Sequence, residues 1–388
     1  MNRWGGPGRS PKTREPGAPP AVAGPENDNV VKRMNDLSDA LTTATAPFNP
    51  TRLRAAGARL AQPWLVADIG GTNARFGWVA PGSGTVTQVR TLGVAEHAGP
   101  AQAARTYLAQ LAAELGADYQ APGAAAFAVA TAVGSDRVDF TNSGWGFSCA
   151  DTRAELGLDT LLMLNDFEAL ALSLPRLGGE QLRAIPGSTG SERALPDSAR
   201  AVIGPGTGLG VAGLLPTRHG WVAVPGEGGH ATLSAADDFE AALLAAVRGD
   251  FPHVSAERLL SGIGLPVLHG AVARVRGEAA PLLTAGDIVE RGLNGSDAIC
   301  ALTVDSFCAL LGSFAGNVAL VLGARGGVYI GGGIVPRLGE RFLASRFRER
   351  FEAKGRFQSY LQAVPTWLIT DTLAALSGAA LALEQHGR

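Results

Sequence analysis

Hydrophobic order along the chain first becomes clear at Leu65. The run Leu65-Val66-Ala67-Asp68-Ile69 is almost wholly apolar, breaks at Gly70-Gly71-Thr72-Asn73, and resumes as Ala74-Arg75-Phe76-Gly77-Trp78-Val79. An apolar run, a glycine turn and an alternating run predict a strand hairpin rather than a strand-to-helix crossover. Thr85 to Leu92 reads as a third strand, and Pro100 to Leu115 sets Ala104, Leu108 and Leu111 at helical spacing. Ala124 to Ala132 is a strand of small apolar residues, Arg137 to Thr141 another, and Leu161 to Leu164 a short buried one that ends at Asn165-Asp166. Phe167 to Leu174 carries a helical pattern stopped by Pro175. The Gly/Ser/Pro-rich stretch Gly178 to Asp197 reads as a domain boundary. Strand signals resume at Ala201 to Ile203, and helices dominate from Asp237 to about Ala324. Strands, a helix and further alternation, met twice, predict an α/β protein of two related halves facing each other across a cleft.

Composition narrows this picture. The 388 residues exceed the roughly 250–300 that one core usually supports, which favours two domains. The formal charge of -2 offers no basic surface for nucleic acid. Cys149, Cys300 and Cys308 form no CxxC pair or His-linked cluster, so neither a zinc site nor a disulfide framework is indicated, the pattern of a reducing cytoplasm. The weakly charged run Ser306 to Ala324 contains Asn317 and several small residues and is read as a buried helix, not a membrane span. Residues 1–62 are rich in Pro, Gly, Ala, Arg and Thr without a sustained period, so an unstructured extension is expected there, without the apolar core of a signal peptide. Met34 raises the expectation of an internal start.

Three glycine clusters carry the candidate chemistry. Gly70 and Gly71 remove Cβ atoms and free the backbone, so an anion can approach the amide N–H groups, with Thr72 and Asn73 as added donors. Asp68, at the end of the first strand, suits Mg²⁺ shared with phosphate oxygens. The second cluster, Gly204-Pro-Gly-Thr-Gly-Leu-Gly210, again runs from a strand through a turn tipped by Thr207 into a strand. It lacks the Lys of a Walker A loop and the following helix of a dinucleotide fingerprint. Two such hairpins could pinch a polyphosphate between lobes. The third, Gly326-Gly327-Val328-Tyr329-Ile330-Gly331-Gly332-Gly333, permits close approach to a base or ribose. Between them lie Asn165-Asp166 at a strand end, where α/β enzymes place functional groups, the block Pro225-Gly-Glu-Gly-Gly-His230, and Ser255-Ala-Glu-Arg258, read as a helix start with Ser255 as N-cap and Glu257 in the first turn. Asn, carboxylates and His together suit a polyhydroxylated sugar. Structural alternatives stand beside these readings: Asp166 as a helix cap, Glu257 as a helix-dipole partner, His230 as a structural histidine.

The ordered series Asp68-Ile-Gly-Gly-Thr-Asn-Ala-Arg75, Asn165-Asp-Phe-Glu-Ala169, Gly204 to Gly210, Pro225 to His230, Ser255 to Arg258 and Gly331-Gly-Gly-Ile-Val-Pro-Arg337 resembles bacterial glucokinases. The resemblance is to the ATP-dependent group without the cysteine-rich zinc motif, and it runs from about Trp64 to the C-terminus. It implies the two-lobed sugar-kinase/actin-like ATPase fold (ribonuclease H-like), with the active-site cleft between lobes. The bounds expected are a small α/β domain at 63–176, completed by a C-terminal helix at about 366–388, and a large α/β domain at 177–365. The resemblance also implies Asp166 as catalytic base, with Asn142, Asn165, Glu227, His230 and Glu257 on glucose hydroxyls. Asp68, Gly70, Gly71, Thr72 and Asn73, with Gly206, Thr207 and Gly208, would hold the ATP phosphates and Mg²⁺, Asp68 acting on the metal through water. Gly331 and Gly332 would border the adenosine. A cytoplasmic homodimer with no nucleic-acid or membrane partner is expected. There are two departures. Ala67 stands where the family usually has Gly, a small change on the strand that should be tolerated. Ala130-Thr131-Ala132-Val133 lacks the family's proline near the sugar, which bears on hexose selectivity rather than catalysis. The alternatives are a kinase of another hexose and a non-catalytic sugar-responsive regulator.

Overall fold

The structure, a computed structural model, describes residues 62–131, 133–140, 144–187 and 195–387. The expected unstructured extension therefore lies outside the described residues apart from Gln62, as do Thr141 and Asn142.

The first sheet has five strands, β1 (Trp64–Ile69), β2 (Asn73–Val79), β3 (Val86–Gly93), β4 (Ala124–Val129) and β7 (Thr160–Asn165), in the order β3-β2-β1-β4-β7. The first three are antiparallel neighbours, whereas β1, β4 and β7 run parallel. A two-stranded ribbon, β5 (Arg137–Asp139) and β6 (Gly146–Ser148), lies between β4 and β7 in sequence. The second sheet uses β8 (Leu182–Ala184), β9 (Arg200–Pro205), β10 (Leu209–Thr217), β11 (Gly220–Gly226), β12 (Val328–Ile330) and β13 (Thr366–Ile369), in the order β11-β10-β9-β12-β13-β8. Its first five strands repeat the first sheet's order and directions, with β8 added antiparallel to β13. The stretch read as a domain boundary at Gly178 to Asp197 thus contains an edge strand. Three residues of β8 are too few to show a strand period among turn formers.

Both faces of β1 and β4 are covered, which is why these strands are apolar runs. Trp64, Val66, Ala124, Ala126 and Ala128 share a core with the C-terminal helix Ala374–His386 and the helix Asp166–Ser173. Leu65, Ala67, Ile69, Ala125, Phe127 and Val129 face Ala103, Ala104, Tyr107 and Leu111 of the helix Pro100–Leu115. The first of these cores also takes Val202, Ala212, Leu214, Tyr329 and Ile369 from the second sheet, so one hydrophobic cluster joins the halves. The opposite face of the second sheet packs on the helices Asp238–Arg248, Leu265–Arg276 and Ala298–Leu322. Ala298–Leu322 is, among the described residues, the one helix long and apolar enough to cross a membrane, and most of it is buried inside the protein.

Candidate active site

The β1–β2 hairpin closes on the pair Ile69–Ala74, with Asp68 opposite Arg75 one step back. The Gly70 N–H donates to the Asn73 carbonyl at 2.9 Å, and the Val94 N–H donates to Thr72 O at 2.9 Å, which ties the turn to the end of β3. Thr72 and Asn73 are exposed at the tip. Period two puts Asp68 on the Val66 face of β1, the face covered by the helix Asp166–Ser173. Arg75 Nη1 donates to Asp68 Oδ2 at 3.0 Å. Burial raises the Asp68 pKa, and the Arg75 guanidinium opposes that shift. Asp68 Oδ1 makes no hydrogen bond among the described residues, so one oxygen stays open to a ligand.

β7 delivers Asn165 and Asp166 to the start of the helix Asp166–Ser173. Asn165 is the cap: its Oδ1 accepts from the N–H groups of Phe167 (2.9 Å) and Glu168 (3.4 Å), and Glu168 Oε2 accepts from its backbone N–H at 3.3 Å. This capping box satisfies the helix's first donors, so Asp166 is not needed as the cap. The other end of the Asn165 side chain donates to the Thr131 carbonyl at 3.2 Å. Asp166 is the first helical residue, and its Oδ1 accepts from the Phe167 N–H at 3.0 Å. Burial first, and the Asp68 charge second, push its pKa up from the ordinary aspartate value to about 6. A carboxylate at that value can take a proton near neutral pH.

The β9–β10 turn is fixed by the Gly206 N–H on the Gly208 carbonyl (2.9 Å) and by the Gly262 N–H on the Gly206 carbonyl (2.8 Å). Glu257 joins this turn to the Glu227–His230 block. Its Oε2 accepts from the Leu209 N–H at 2.9 Å, its own N–H donates to the Gly229 carbonyl at 2.8 Å, and its Oε1 lies 4.0 Å from His230 Nδ1. Glu227 Oε2 is 4.0 Å from His230 Nε2, and both side chains are open to solvent. Gly229 is seated so tightly on the Leu209 carbonyl that a Cβ there would overlap it. The third cluster sits beside this turn: the Gly331 N–H donates to the Ile203 carbonyl at 2.8 Å, and Gly332, at φ +79°, faces Pro205.

The predicted groups therefore fall into two linked sets. Asp68 and Asp166 lie within electrostatic reach, with Asn165 beside them. Glu227, His230 and Glu257 gather against the second turn. The predicted helix start at Ser255 is a correction: Ser255 to Gly264 is a run of turns, and the helix begins at Leu265. Pro266 would remove a helical N–H and clash one turn back, and Gly262 and Gly264 weaken any helix before it. Ser255 Oγ still accepts from the Arg258 N–H at 3.2 Å, so the cap-like contact forms without a helix. Trp145 is buried and gives its indole N–H to the His97 carbonyl at 2.9 Å. Asn142 lies outside the described residues. Sequence reasoning gave no role to Arg75, Phe167 or Gly262. Only the strand spacing of Asp68 and Arg75 around a four-residue turn could have signalled their pairing.

A family model described as Glucokinase matches residues 65–386. The chain belongs to the glucokinase family. The glucokinase of Paramagnetospirillum magneticum is 49% identical over 322 residues, which cover 83% of this chain and 97% of that protein. Among solved structures, the glucokinase of an Antarctic psychrotroph superposes with a TM-score of 0.76 at 38% identity, covering 83% of this chain and 98% of the other. A ROK family glucokinase from Streptomyces griseus, solved in complex with glucose and AMPPNP, shares the fold alone at 18% identity and a TM-score of 0.50, covering 82% and 98% of the two chains. The glucokinase match begins in β1 and ends in the C-terminal helix, so both glycine hairpins and Asp166 lie within it.

Proposed function

We propose that this chain transfers the γ-phosphoryl group of ATP to the 6-hydroxyl of glucose, giving glucose 6-phosphate and ADP. The observation that carries the reading is Asp166, raised to a pKa of about 6 at the start of a capped helix beside Asp68 and the first glycine turn. Phosphoryl transfer asks the protein mainly to align the nucleophile with the phosphate and to neutralise charge. Asp166, hydrogen-bonded to the 6-hydroxyl, accepts its proton as the new O–P bond forms.

Asn165 already uses its oxygen on the helix and one amide hydrogen on Thr131, which leaves its second amide hydrogen as the donor for sugar. Glu257 spends one oxygen on Leu209 and presents the other toward His230, where a sugar hydroxyl can bridge them; Glu227 and Asn142 complete the set. Gly70, Gly71, Thr72 and Asn73 on one hairpin, with Gly206, Thr207 and Gly208 on the other, hold the phosphates, and Gly331 and Gly332 border the nucleoside. The open Oδ1 of Asp68 fits a water of Mg²⁺, as does a site already burdened with two carboxylates. Asp68, through water, would hold Mg²⁺, which when bound would supply charge neutralisation for the phosphates. The small and large domains expected from the sequence form the two walls. Free Cys149, Cys300 and Cys308 support a cytoplasmic setting, and the family resemblance supports a homodimer, which light scattering checks. A coupled ADP-release assay across glucose, fructose, mannose and N-acetylglucosamine tests the function: glucose is the expected substrate by kcat/KM, and no ADP release with any sugar would leave only a regulator.

A further inference from the structure

Phe167, next to Asp166, rests in a hole made by two glycines. Gly204 of β9 and Gly210 of β10 are direct partners across the hairpin. Their neighbours in the ladder, Val202 and Ala212, carry side chains into the core shared with the helix Asp166–Ser173. Period two puts Gly204 and Gly210 on that same face. Neither glycine has a left-handed φ, so what the site requires of them is the missing Cβ. A Cβ on Gly210 would overlap the Phe167 ring, and one on Gly204 would lie 2.6 Å from ring Cε1. One turn along the helix, Leu170 leans on Gly331, where a Cβ would be 3.1 Å from Leu170 Cδ2. From behind, Gly378 of the C-terminal helix fits against the Ala169 carbonyl with no room for a Cβ. The helix is thus held between a glycine notch on the second half and a glycine contact at its back.

We infer that Phe167 is a positioning residue: its ring, seated in the Gly204–Gly210 notch, fixes the Asp166 carboxylate relative to the hairpin that grips the ATP phosphates. The inference rests on the reading of Asp166 as base. Because the Phe167 N–H is bonded to both Asn165 Oδ1 (2.9 Å) and Asp166 Oδ1 (3.0 Å), a ring displaced from the notch carries the helix start, and the carboxylate, with it. Misplacement by about 1 Å can slow a reaction by up to about 10²-fold. The proposed glucose contacts Glu257 and His230 stand on the second half, Glu257 tied to the Leu209 N–H beside Gly210, so Phe167→Leu leaves their own supports unchanged.

The test uses the full chain with Gly210→Ala, Phe167→Leu and the double variant, with Asp166→Asn as reference. For each, kcat with glucose and Mg·ATP, the Kd for glucose without nucleotide, and Tm are measured. Gly210→Ala is expected to lower kcat by about tenfold or more, with Kd for glucose held within about twofold. Phe167→Leu lowers kcat as well, and in the double variant, where the shorter side chain makes room for the new methyl, kcat exceeds that of Gly210→Ala alone. Losses that simply multiply in the double variant, or a kcat unchanged in both single variants, overturn the inference. So does a glucose Kd that weakens in step with kcat, the signature of general damage. If Gly210→Ala fails to fold, Phe167→Leu alone decides by its kcat-to-Kd split. An inactive Asp166→Asn beside fully active notch variants removes only this inference, whereas an active Asp166→Asn removes the base assignment itself.

Discussion

The two glycine hairpins share a plan and differ in what they carry one step back from the turn. Each runs from a buried strand through a turn into an antiparallel strand, and each has a matching pair one step back from the last ladder pair. In the first hairpin that pair is Asp68 and Arg75, joined by an ion pair; in the second it is Gly204 and Gly210, which have no side chains. The first uses the position for charge beside Asp166. The second uses it for space, into which Phe167 fits. The same backbone geometry therefore acts on the electrostatics of the proposed base, Asp166, from one side and, by our inference, on its placement from the other. Neither role is visible in the turns themselves, of four residues and three.

The largest effect belongs to the residue on which both hairpins act. Asp166→Asn is expected to lower turnover by about 10²–10⁴-fold, the range for loss of a general base, while calorimetry still detects glucose binding. The same change should stabilise the fold above pH 6. The folded-state pKa of Asp166 is raised, so its contribution is present below the unfolded value and is lost as pH rises through about 6. The asparagine variant lacks this loss, and its denaturant midpoint at pH 8 should reflect a gain on the order of 3 kcal/mol.

Asp68→Asn breaks the charged side of the comparison. It should reduce kcat/KM for ATP by about tenfold or more through loss of charge at the phosphates. It should also move the acid limb of the pH–rate profile, expected near pH 6, to lower pH, because removing a like charge favours the ionised Asp166. A limb that stays put would mean that burial alone sets the Asp166 value. On the spatial side, Gly204→Ala should destabilise by about 1–3 kcal/mol as an overpacked site, read from urea melts, whereas alanine at Gly206, where a Cβ meets nothing within 4 Å, should leave stability unchanged. Equal melts for these two variants would dissolve the notch. Smallest is Asn165→Ala, expected to cost about 1 kcal/mol through the lost helix cap.

Much of this was legible in the chain. The β1–β2 hairpin, the helix Pro100–Leu115 and the helix after Asn165-Asp166 follow from apolar periodicity and local turn chemistry, which act within a few residues. The Ser255 segment was misread because an N-cap signal is local, whereas Pro266, which delays the helix, lies a full helix length away. β8 was missed because its three residues gain their strand identity from β13, far along the chain.

What the sequence determined by itself is the set of parts: two glycine turns on buried strands, an acidic strand end, and the order in which they occur. Those depend on backbone freedom and hydrophobic period, both short-range. The tertiary structure alone decided which parts meet. The coupling of Asp68 to Asp166, the link from Leu209 to Glu257 and the fit of Phe167 between Gly204 and Gly210 join segments dozens of residues apart. Such contacts are set by sheet register and helix packing, where a glycine matters for the atom it lacks opposite a partner that no local pattern names.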